Sequence, residues 1–295
     1  MAIALATGPV TWGVDFADAP ANPPWEHVLD EIAASSLGAL ELGPVGYLPE
    51  DPDALREALG SRGLTAVGSF VFEDLHDAAE AAAIETTARR ACAAIRAAGG
   101  GVLVIIDRPG PERAATAGRS EAAPRLGDRE WAAMVALIER LAAIAGEHGL
   151  EPVVHHHAGS YVEFDDEIER LMEDGSAGLC VDTGHAAYAG IRPEALIARY
   201  GARVRHVHLK DVDGRVLADA RDAELGFWDA LAAGVFCPLG AGIVDFAAVI
   251  ASLDAAGYAG HATIEQDRVP GSGAPLDDLA ASLAALAEQG VEVPA

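Results

Sequence analysis

Residues 204–211 read Val204-Arg205-His206-Val207-His208-Leu209-Lys210-Asp211, an apolar run that breaks into polar residues at its end. Side chains on a strand alternate between its two faces, so His206, His208 and Lys210 are predicted to point the same way. Lys210 is the only lysine in the 295 residues. Lysine is a compact charge whose pKa shifts readily on burial, which arginine cannot imitate. The end of this strand is therefore a candidate functional position.

Similar apolar runs recur along the chain and alternate with longer, alanine-rich amphipathic segments. Eight strand signals in strict alternation with eight helix signals predict a parallel sheet with crossover helices. The count of eight favours a closed (β/α)₈ TIM barrel over an open doubly wound sheet, and no GxGxxG or Walker-type loop follows the first strand. The predicted strands are Leu5–Thr7, Ala39–Leu42, Ala66–Val71, Val102–Ile106, Pro152–His155, Gly178–Val181, Val204–Leu209 and Ala262–Glu265. The predicted helices are Trp25–Ser35, Pro52–Arg62, Ala78–Ala98, Asp128–Gly149, Glu163–Asp174, Pro193–Tyr200, Phe246–Ala256 and Leu276–Gln289.

No linker divides the chain, so residues 1–295 are predicted to form a single barrel domain. A long insertion, Asp211–Val244, follows strand seven, with a short helix predicted around Ala218–Ala233. The Pro/Gly/Arg-rich segment Asp107–Arg125 is predicted to be a mobile loop. Helix ends are predicted at the N-caps Asp128 and Asp245 and at the terminating glycines Gly149 and Gly257.

Composition excludes several classes of partner. The formal net charge of −26 repels nucleic acid and anionic membrane surfaces. No apolar run approaches the roughly 20 residues that span a bilayer. Residues 1–6 are apolar without a basic start, so they are predicted to belong to the first strand and not to a signal peptide. Three distant cysteines give no disulfide framework and no CxxC metal site, which suits a cytoplasmic protein; they are Cys92, Cys180 and Cys237.

Polar residues end four consecutive predicted strands, and in a (β/α)₈ barrel the chemistry lies at these carboxyl ends. Strand alternation allows four of their side chains to converge, namely His155, Asp182, His208 and Glu265. Any one of them has a simpler explanation as a loop start or a hydrogen-bonded core residue, but four adjacent strands ending alike favour a cation site. Two imidazoles and two carboxylates suit Mn²⁺, Co²⁺, Fe²⁺ or Zn²⁺ better than Ca²⁺. His156 is predicted to face the helices, and His206 to lie one pleat deeper than His208.

These motifs resemble the xylose-isomerase-like TIM-barrel superfamily of sugar isomerases and epimerases, and within it the inosose dehydratase (2-keto-myo-inositol dehydratase) family. In the epimerases of this superfamily, the metal ligands are Glu, Asp, His and Glu from strands five to eight. The resemblance implies the ligands His155, Asp182, His208 and Glu265, with histidine in place of the first glutamate. Because an epimerase needs both glutamates as bases on opposite faces of its substrate, the replacement suits elimination better than epimerisation. The matching stretches are residues 12–14, 41–49, 155–157, 182–185, 206–210, 234–237 and 265–267.

The resemblance implies a place in inositol catabolism, with dehydration of a keto-cyclitol such as 2-keto-myo-inositol (scyllo-inosose). The cofactor would be a divalent metal ion, Mn²⁺ or Co²⁺, with Mg²⁺, Fe²⁺ or Zn²⁺ as alternatives. Glu265 would remove the proton α to the ketone, with His155 or His157 as alternative bases, and Lys210 would stabilise the enolate. The expected proton donors to the leaving hydroxyl are His185 and Lys210, the expected ligands of substrate hydroxyls are Glu41 and Asp267, and Trp12 is expected either to wall the ring or to pack in the core.

Three other functions remain open from the sequence. The first is a sugar or keto-acid isomerase or epimerase that uses the same metal site. The second is a lyase that uses Lys210 as a Schiff-base nucleophile. The third is a non-catalytic barrel that binds a cyclitol or a protein partner. Barrels of this kind often pair, so a homo-oligomer is an alternative to a monomer, although no interface can be located.

Overall fold

The strands of the computed structural model, which describes residues 3–293, form one eight-stranded parallel sheet and one short antiparallel pair. Met1 and Ala2, at the start of the predicted first-strand run, lie outside the described residues. The strands are β1 (Ala4–Ala6), β2 (Ala39–Glu41), β3 (Thr65–Glu73), β4 (Val102–Asp107), β5 (Glu151–His155), β6 (Gly178–Asp182), β7 (Val204–Leu209), β8 (Asp211–Val212), β9 (Phe236–Cys237) and β10 (His261–Ile264). The large sheet has the order β1-β10-β7-β6-β5-β4-β3-β2, and a parallel bridge between Thr7 and Leu40 joins its two edges. The predicted (β/α)₈ barrel is therefore confirmed.

Helices surround this sheet and follow its strands along the chain. Their bounds are α1 (Trp25–Ala34), α2 (Pro52–Gly60), α3 (Ala81–Ala97), α4 (Pro111–Ala114), α5 (Asp128–Glu147), α6 (Asp165–Asp174), α7 (Thr183–Tyr188), α8 (Pro193–Tyr200), α9 (Gly214–Asp222), α10 (Phe227–Ala232), α11 (Phe246–Ala255) and α12 (Pro275–Glu288). Within residues 3–293, none of these helices combines the length and apolar character that crossing a lipid bilayer requires.

The core has two layers because the parallel strands are covered on both faces. The outer layer lies between strands and helices, where α5, for example, buries Trp131, Ile138 and Leu141. The inner layer fills the barrel and includes Phe70 and Val104. Burial on both faces explains why a strand such as β4 reads as a nearly continuous apolar run.

The connection between β7 and α11 covers the carboxyl end of the barrel. It contains the antiparallel pair β8–β9 and two helices, α9 and α10, where the sequence predicted one helix around Ala218–Ala233. The break lies at Glu224, whose φ of 52° is left-handed and ends the helical path. The two helices and two strands enclose their own apolar cluster, which includes Leu217, Phe227 and Phe236.

The segment Asp107–Arg125 is anchored, in contrast to the predicted mobile loop. It contains α4, whose Arg113 is 0% exposed. The Arg113 guanidinium donates to Glu163 at 3.2 Å and to Glu167 at 3.0 Å. A buried guanidinium needs such partners, and they tie the segment to the start of α6.

Of the two predicted N-caps, one is correct. Asp245 caps α11 by accepting a hydrogen bond from the Ala248 amide at 3.0 Å. Asp128 is instead the first residue of α5, because the cap position falls at Gly127. The Gly127 amide donates to the Glu130 side chain at 2.9 Å, which satisfies a donor at the helix start. Gly149 and Gly257 both follow their helices with φ of 69°, as the sequence predicted.

Candidate active site

The four side chains expected to bind a cation lie together at the carboxyl end of the barrel. Asp182 and His208 are paired across β6 and β7. Asp182 Oδ2 lies 3.2 Å from His155 Nε2 and 3.7 Å from His208 Nδ1. Glu265 Oε2 lies 3.1 Å from His208 Nδ1. All four side chains are buried, so two imidazoles and two carboxylates share a small volume with little water.

The hydrogen bonding of His208 suits a metal ligand. Its Nε2 lies 2.9 Å from Glu41 Oε1, so a neutral ring that donates from Nε2 carries its lone pair on Nδ1. Nδ1 is buried and faces Glu265 Oε2 at 3.1 Å, but it makes no hydrogen bond of good geometry among residues 3–293. Burial lowers the pKa of His208, but Cys180, Glu265 and the Glu41 carboxylate together raise it well above its ordinary value. A proton and a cation therefore compete for Nδ1.

The set is able to hold a metal ion. Ligand atoms of His155, Asp182 and His208 all lie within 4.8 Å of one another. Burial lowers the pKa of His155, which keeps its imidazole neutral and its lone pair available. Burial raises the pKa of Asp182, but the Lys210 charge and His185 lower it well below its ordinary value, so this carboxylate stays ionised.

Glu41 lies beneath this set and not among the groups that face a substrate. It is 1% exposed, and its Oε1 accepts hydrogen bonds from His206 at 2.7 Å, from His208 and from Thr263 at 2.7 Å. Burial raises its pKa, but His208 and His206 lower it well below its ordinary value. Glu41 was expected to hold substrate hydroxyls, but its position at the end of β2 places it under His208 and outside the lining of the cavity. The Glu41 carboxylate orients the His208 ring, and the same carboxylate oxygen also accepts from His206.

Lys210 lies among carboxylates beside the four-residue set. Its Nζ is 2.6 Å from Asp267 Oδ1, 3.1 Å from Glu265 Oε2 and 3.4 Å from Asp182 Oδ2. Burial lowers the pKa of Lys210, but Asp182, Asp267 and Glu265 raise it well above its ordinary value. A Schiff-base nucleophile must be a neutral amine, so this environment opposes the alternative of a lyase that uses Lys210 in this way.

Two histidine rings are stacked next to Lys210, and of the two only His157 lines the cavity. The His157 and His185 ring centroids are 3.8 Å apart. His185 Nδ1 accepts from the Ala158 amide at 3.2 Å, and its Nε2 faces Asp267 at 3.2 Å. His157 donates from Nδ1 to the Ala158 carbonyl at 2.9 Å, which leaves a lone pair on Nε2. Burial, followed by the electrostatic influence of His185, keeps the pKa of His157 well below its ordinary value.

An aromatic wall faces these polar groups across a cavity of about 450 Å³ of empty space that is open to solvent. Trp12 is not part of this wall: it packs in the outer core and donates from its indole to Glu31. Much of the apolar lining comes from β3 and from α10, two elements that the sequence did not connect with the site. Its residues include Phe70, Phe72, Phe227 and Trp228.

Asp15 is a further cavity residue that the sequence did not predict. This residue follows the turn at Gly13, which has a φ of 80°, and lines the cavity together with Lys210, Glu265 and Asp267. Burial, then the neighbouring Asp267, raises the pKa of the Asp15 carboxyl to about 8. The available signal was a carboxylate directly after Trp12-Gly13-Val14, in the connection that follows the first strand. The Phe227-Trp228 pair in the insertion was a comparable signal.

Comparisons with known proteins agree with this architecture. Residues 29–289 match the family described as xylose isomerase-like TIM barrel. The chain is 33% identical to the rhizopine catabolism protein MocC of Rhizobium meliloti, over 94% of this chain and 85% of that protein. It is 32% identical to the inosose dehydratase of Geobacillus kaustophilus (strain HTA426), over 90% of this chain and 88% of that protein. The crystal structure of IOLI protein with a binding zinc atom superposes with a TM-score of 0.71 at 15% identity, over 97% of this chain and 98% of that one. The chain thus belongs to the xylose isomerase-like TIM barrel family, where it resembles the inosose dehydratases.

Proposed function

We propose that this protein is a metal-dependent hydro-lyase that removes water from a keto-cyclitol such as scyllo-inosose. The observation that carries the proposal is the convergence of two imidazoles and two carboxylates beside the Lys210 ammonium, at the open end of the barrel. The names of the curated relatives support both the lyase class and the cyclitol as substrate.

The metal would be held by His155, Asp182, His208 and Glu265. A divalent cation there supplies a Lewis acid that polarises the ketone. Mixed imidazole and carboxylate ligation suits Mn²⁺ or Co²⁺, with Zn²⁺, Fe²⁺ or Mg²⁺ as alternatives. Zinc is the ion in the superposed IOLI protein structure.

Glu265 is the base that we assign to removal of the proton α to the ketone. It lines the cavity, and Lys210 Nζ lies 3.1 Å from its Oε2. The same ammonium lines the cavity, so it can stabilise the negative charge that develops on the substrate. The free Nε2 of His157 is the alternative base.

Elimination fits this arrangement better than epimerisation. An epimerase needs a second base of comparable strength on the opposite face of the ring, and the corresponding position here holds His155. Its Nε2 faces Asp182 at 3.2 Å within the ligand set, so it is engaged there. The proton donor to the leaving hydroxyl is a separate point. Of the two donors expected from the sequence, His185 is fully buried and both of its ring nitrogens face protein groups, which leaves neither nitrogen free for a substrate hydroxyl.

The test is an anaerobic assay of scyllo-inosose with protein stripped of metal and reloaded with one divalent ion at a time. We expect loss of water, followed as the absorbance of the enedione-type product, only in the reloaded samples. The variant Lys210→Arg should lose most of this activity, because a larger planar cation cannot occupy the same place among three carboxylates. Solvent deuterium uptake without loss of water would instead identify an epimerase, and absence of turnover with every ion would refute the substrate.

A further inference from the structure

We propose that Asp15 is a further catalytic residue, which contacts a ring hydroxyl of the bound polyol and donates the proton with which that hydroxyl leaves as water. The proposal rests on the dehydration proposed above. Asp15 lines the cavity with Lys210, Glu265 and Asp267, on the loop after β1. Its carboxyl has no hydrogen-bond or ion-pair partner within residues 3–293, so it is available to a ligand.

The loop that carries Asp15 is fixed against the segment after β10. Gly13 has a φ of 80°, and a Cβ there would lie 2.7 Å from the Pro270 backbone, so only glycine allows this approach. Asp15 also borders a neighbouring groove lined by Asp18, Glu73 and Arg108. It therefore lies where the cavity adjoins this groove, in the same lining as Lys210, Glu265 and Asp267.

The other candidate donors are less suited to the step. His185 does not line the cavity, and Lys210 would become a neutral amine among three carboxylates if it gave up its proton. Asp15 holds a proton at neutral pH because burial and Asp267 raise its pKa, with Glu265 acting in the same direction and Lys210 against it.

The proposed step balances in atoms and electrons. The base takes the α-proton, that electron pair forms the new double bond, and the C–O pair leaves with the hydroxyl oxygen. The Asp15 proton completes the water, and the resulting carboxylate lies near the Lys210 charge. Solvent exchange then returns a proton to Asp15 and removes one from the base.

The experiment compares Asp15→Asn with wild type. The amide keeps the size and hydrogen bonding of the carboxyl but has no proton to give, so we expect kcat to fall by at least about 100-fold with KM changed by less than about threefold. Wild-type kcat should fall as pH rises through the pKa of Asp15, and this alkaline limb should be absent in Asp15→Asn. The matched control is Asp18→Asn, an exposed aspartate on the same loop, which should behave as wild type.

The contact is tested separately by calorimetric binding of myo-inositol, which undergoes no reaction. Affinity should be retained in Asp15→Asn and fall by about tenfold in Asp15→Leu, since the leucine leaves a substrate hydroxyl unpaired. If Asp15→Asn keeps kcat and the alkaline limb, or Asp15→Leu binds as wild type, the assignment is wrong. If wild type binds the polyol but dehydrates no keto-cyclitol, the proposed function fails while the contact stands.

Discussion

At the scale of single residues, two buried charged groups, the Glu41 carboxylate and the Lys210 ammonium, organise the centre of the site through their hydrogen bonds and ion pairs. One oxygen of Glu41 accepts hydrogen bonds from both His206 and His208, which fixes the orientation of the His208 ring. On the other side, the Lys210 ammonium contacts the carboxylates of Asp182 and Glu265. The four candidate metal ligands thus lie between the buried Glu41 carboxylate and the buried Lys210 ammonium.

The first prediction concerns Glu41→Gln. The amide cannot accept from two imidazoles with the strength of a carboxylate, so His208 should lose its fixed orientation and metal affinity should fall by about 10- to 100-fold. Titration of stripped protein with Mn²⁺, read by calorimetry, measures this. Glu57→Gln, at an exposed position on α2, is the control. Equal affinities in both variants would mean that Glu41 does not orient the ligand.

At the scale of elements, the site depends on connections that pack against one another across the barrel mouth. Gly226, at the start of α10, lies against Ala114 of α4, so the segment after β4 supports the helix that carries Phe227 and Trp228. The Arg125 guanidinium also reaches Glu167 of α6. Burial raises the pKa of Glu163 to about 7, so this carboxylate depends on Arg113 and on the Gly118 amide.

Arg113→Met should therefore destabilise the protein. It leaves the buried Glu163 carboxylate without its cation and removes one of the two guanidinium partners of Glu167. Breaking a buried pair in this way costs about 3–5 kcal/mol. Urea unfolding followed by circular dichroism gives the difference in free energy of unfolding. Arg56→Met removes an exposed pair with Asp53 and should change stability by less than about 1 kcal/mol. A loss below about 1 kcal/mol in Arg113→Met would show that the buried cluster is not what anchors the segment.

At the scale of the whole molecule, the sequence predicted the barrel because doubly covered strands must be apolar along their length and must alternate with amphipathic helices. The same alternation placed His155, Asp182, His208 and Glu265 at one end. It could not show how deep in the barrel each side chain lies. Glu41 was therefore expected at the mouth, whereas this last residue of β2 lies beneath His208. Nor could it give the paths of the connections, which depend on packing between distant segments; Asp15 and Trp228 were missed for that reason.

Metal loading should stabilise the whole fold in a pH-dependent way. At a Mn²⁺ concentration 100 times Kd, the free energy of unfolding should rise by about 2.7 kcal/mol. The raised pKa of His208 stabilises the metal-free fold below the unfolded-state pKa of about 6.5, and this contribution is lost as pH rises through the folded pKa. Because the cation needs the neutral ring, its stabilising effect should grow over the same range. Urea unfolding with Mn²⁺ or with chelator, at several pH values, measures the difference in free energy of unfolding between the metal-loaded and metal-free protein. A difference that narrows with rising pH would contradict His208 as a ligand.

The rarity of lysine in this chain gives the molecule a built-in reporter. A protease that cuts only after lysine has one cleavage site in 295 residues, the peptide bond between Lys210 and Asp211. Lys210 is 3% exposed, and Asp211 is also buried. The Asp211 carboxylate accepts hydrogen bonds from the amides of Gly240 and Val244, in the connection that covers the barrel. Cleavage therefore requires that the barrel mouth open. The rate at which the intact chain is converted into two fragments then reports how often the mouth opens. Occupancy of the site by cation or polyol would slow the cut without any labelled group being introduced.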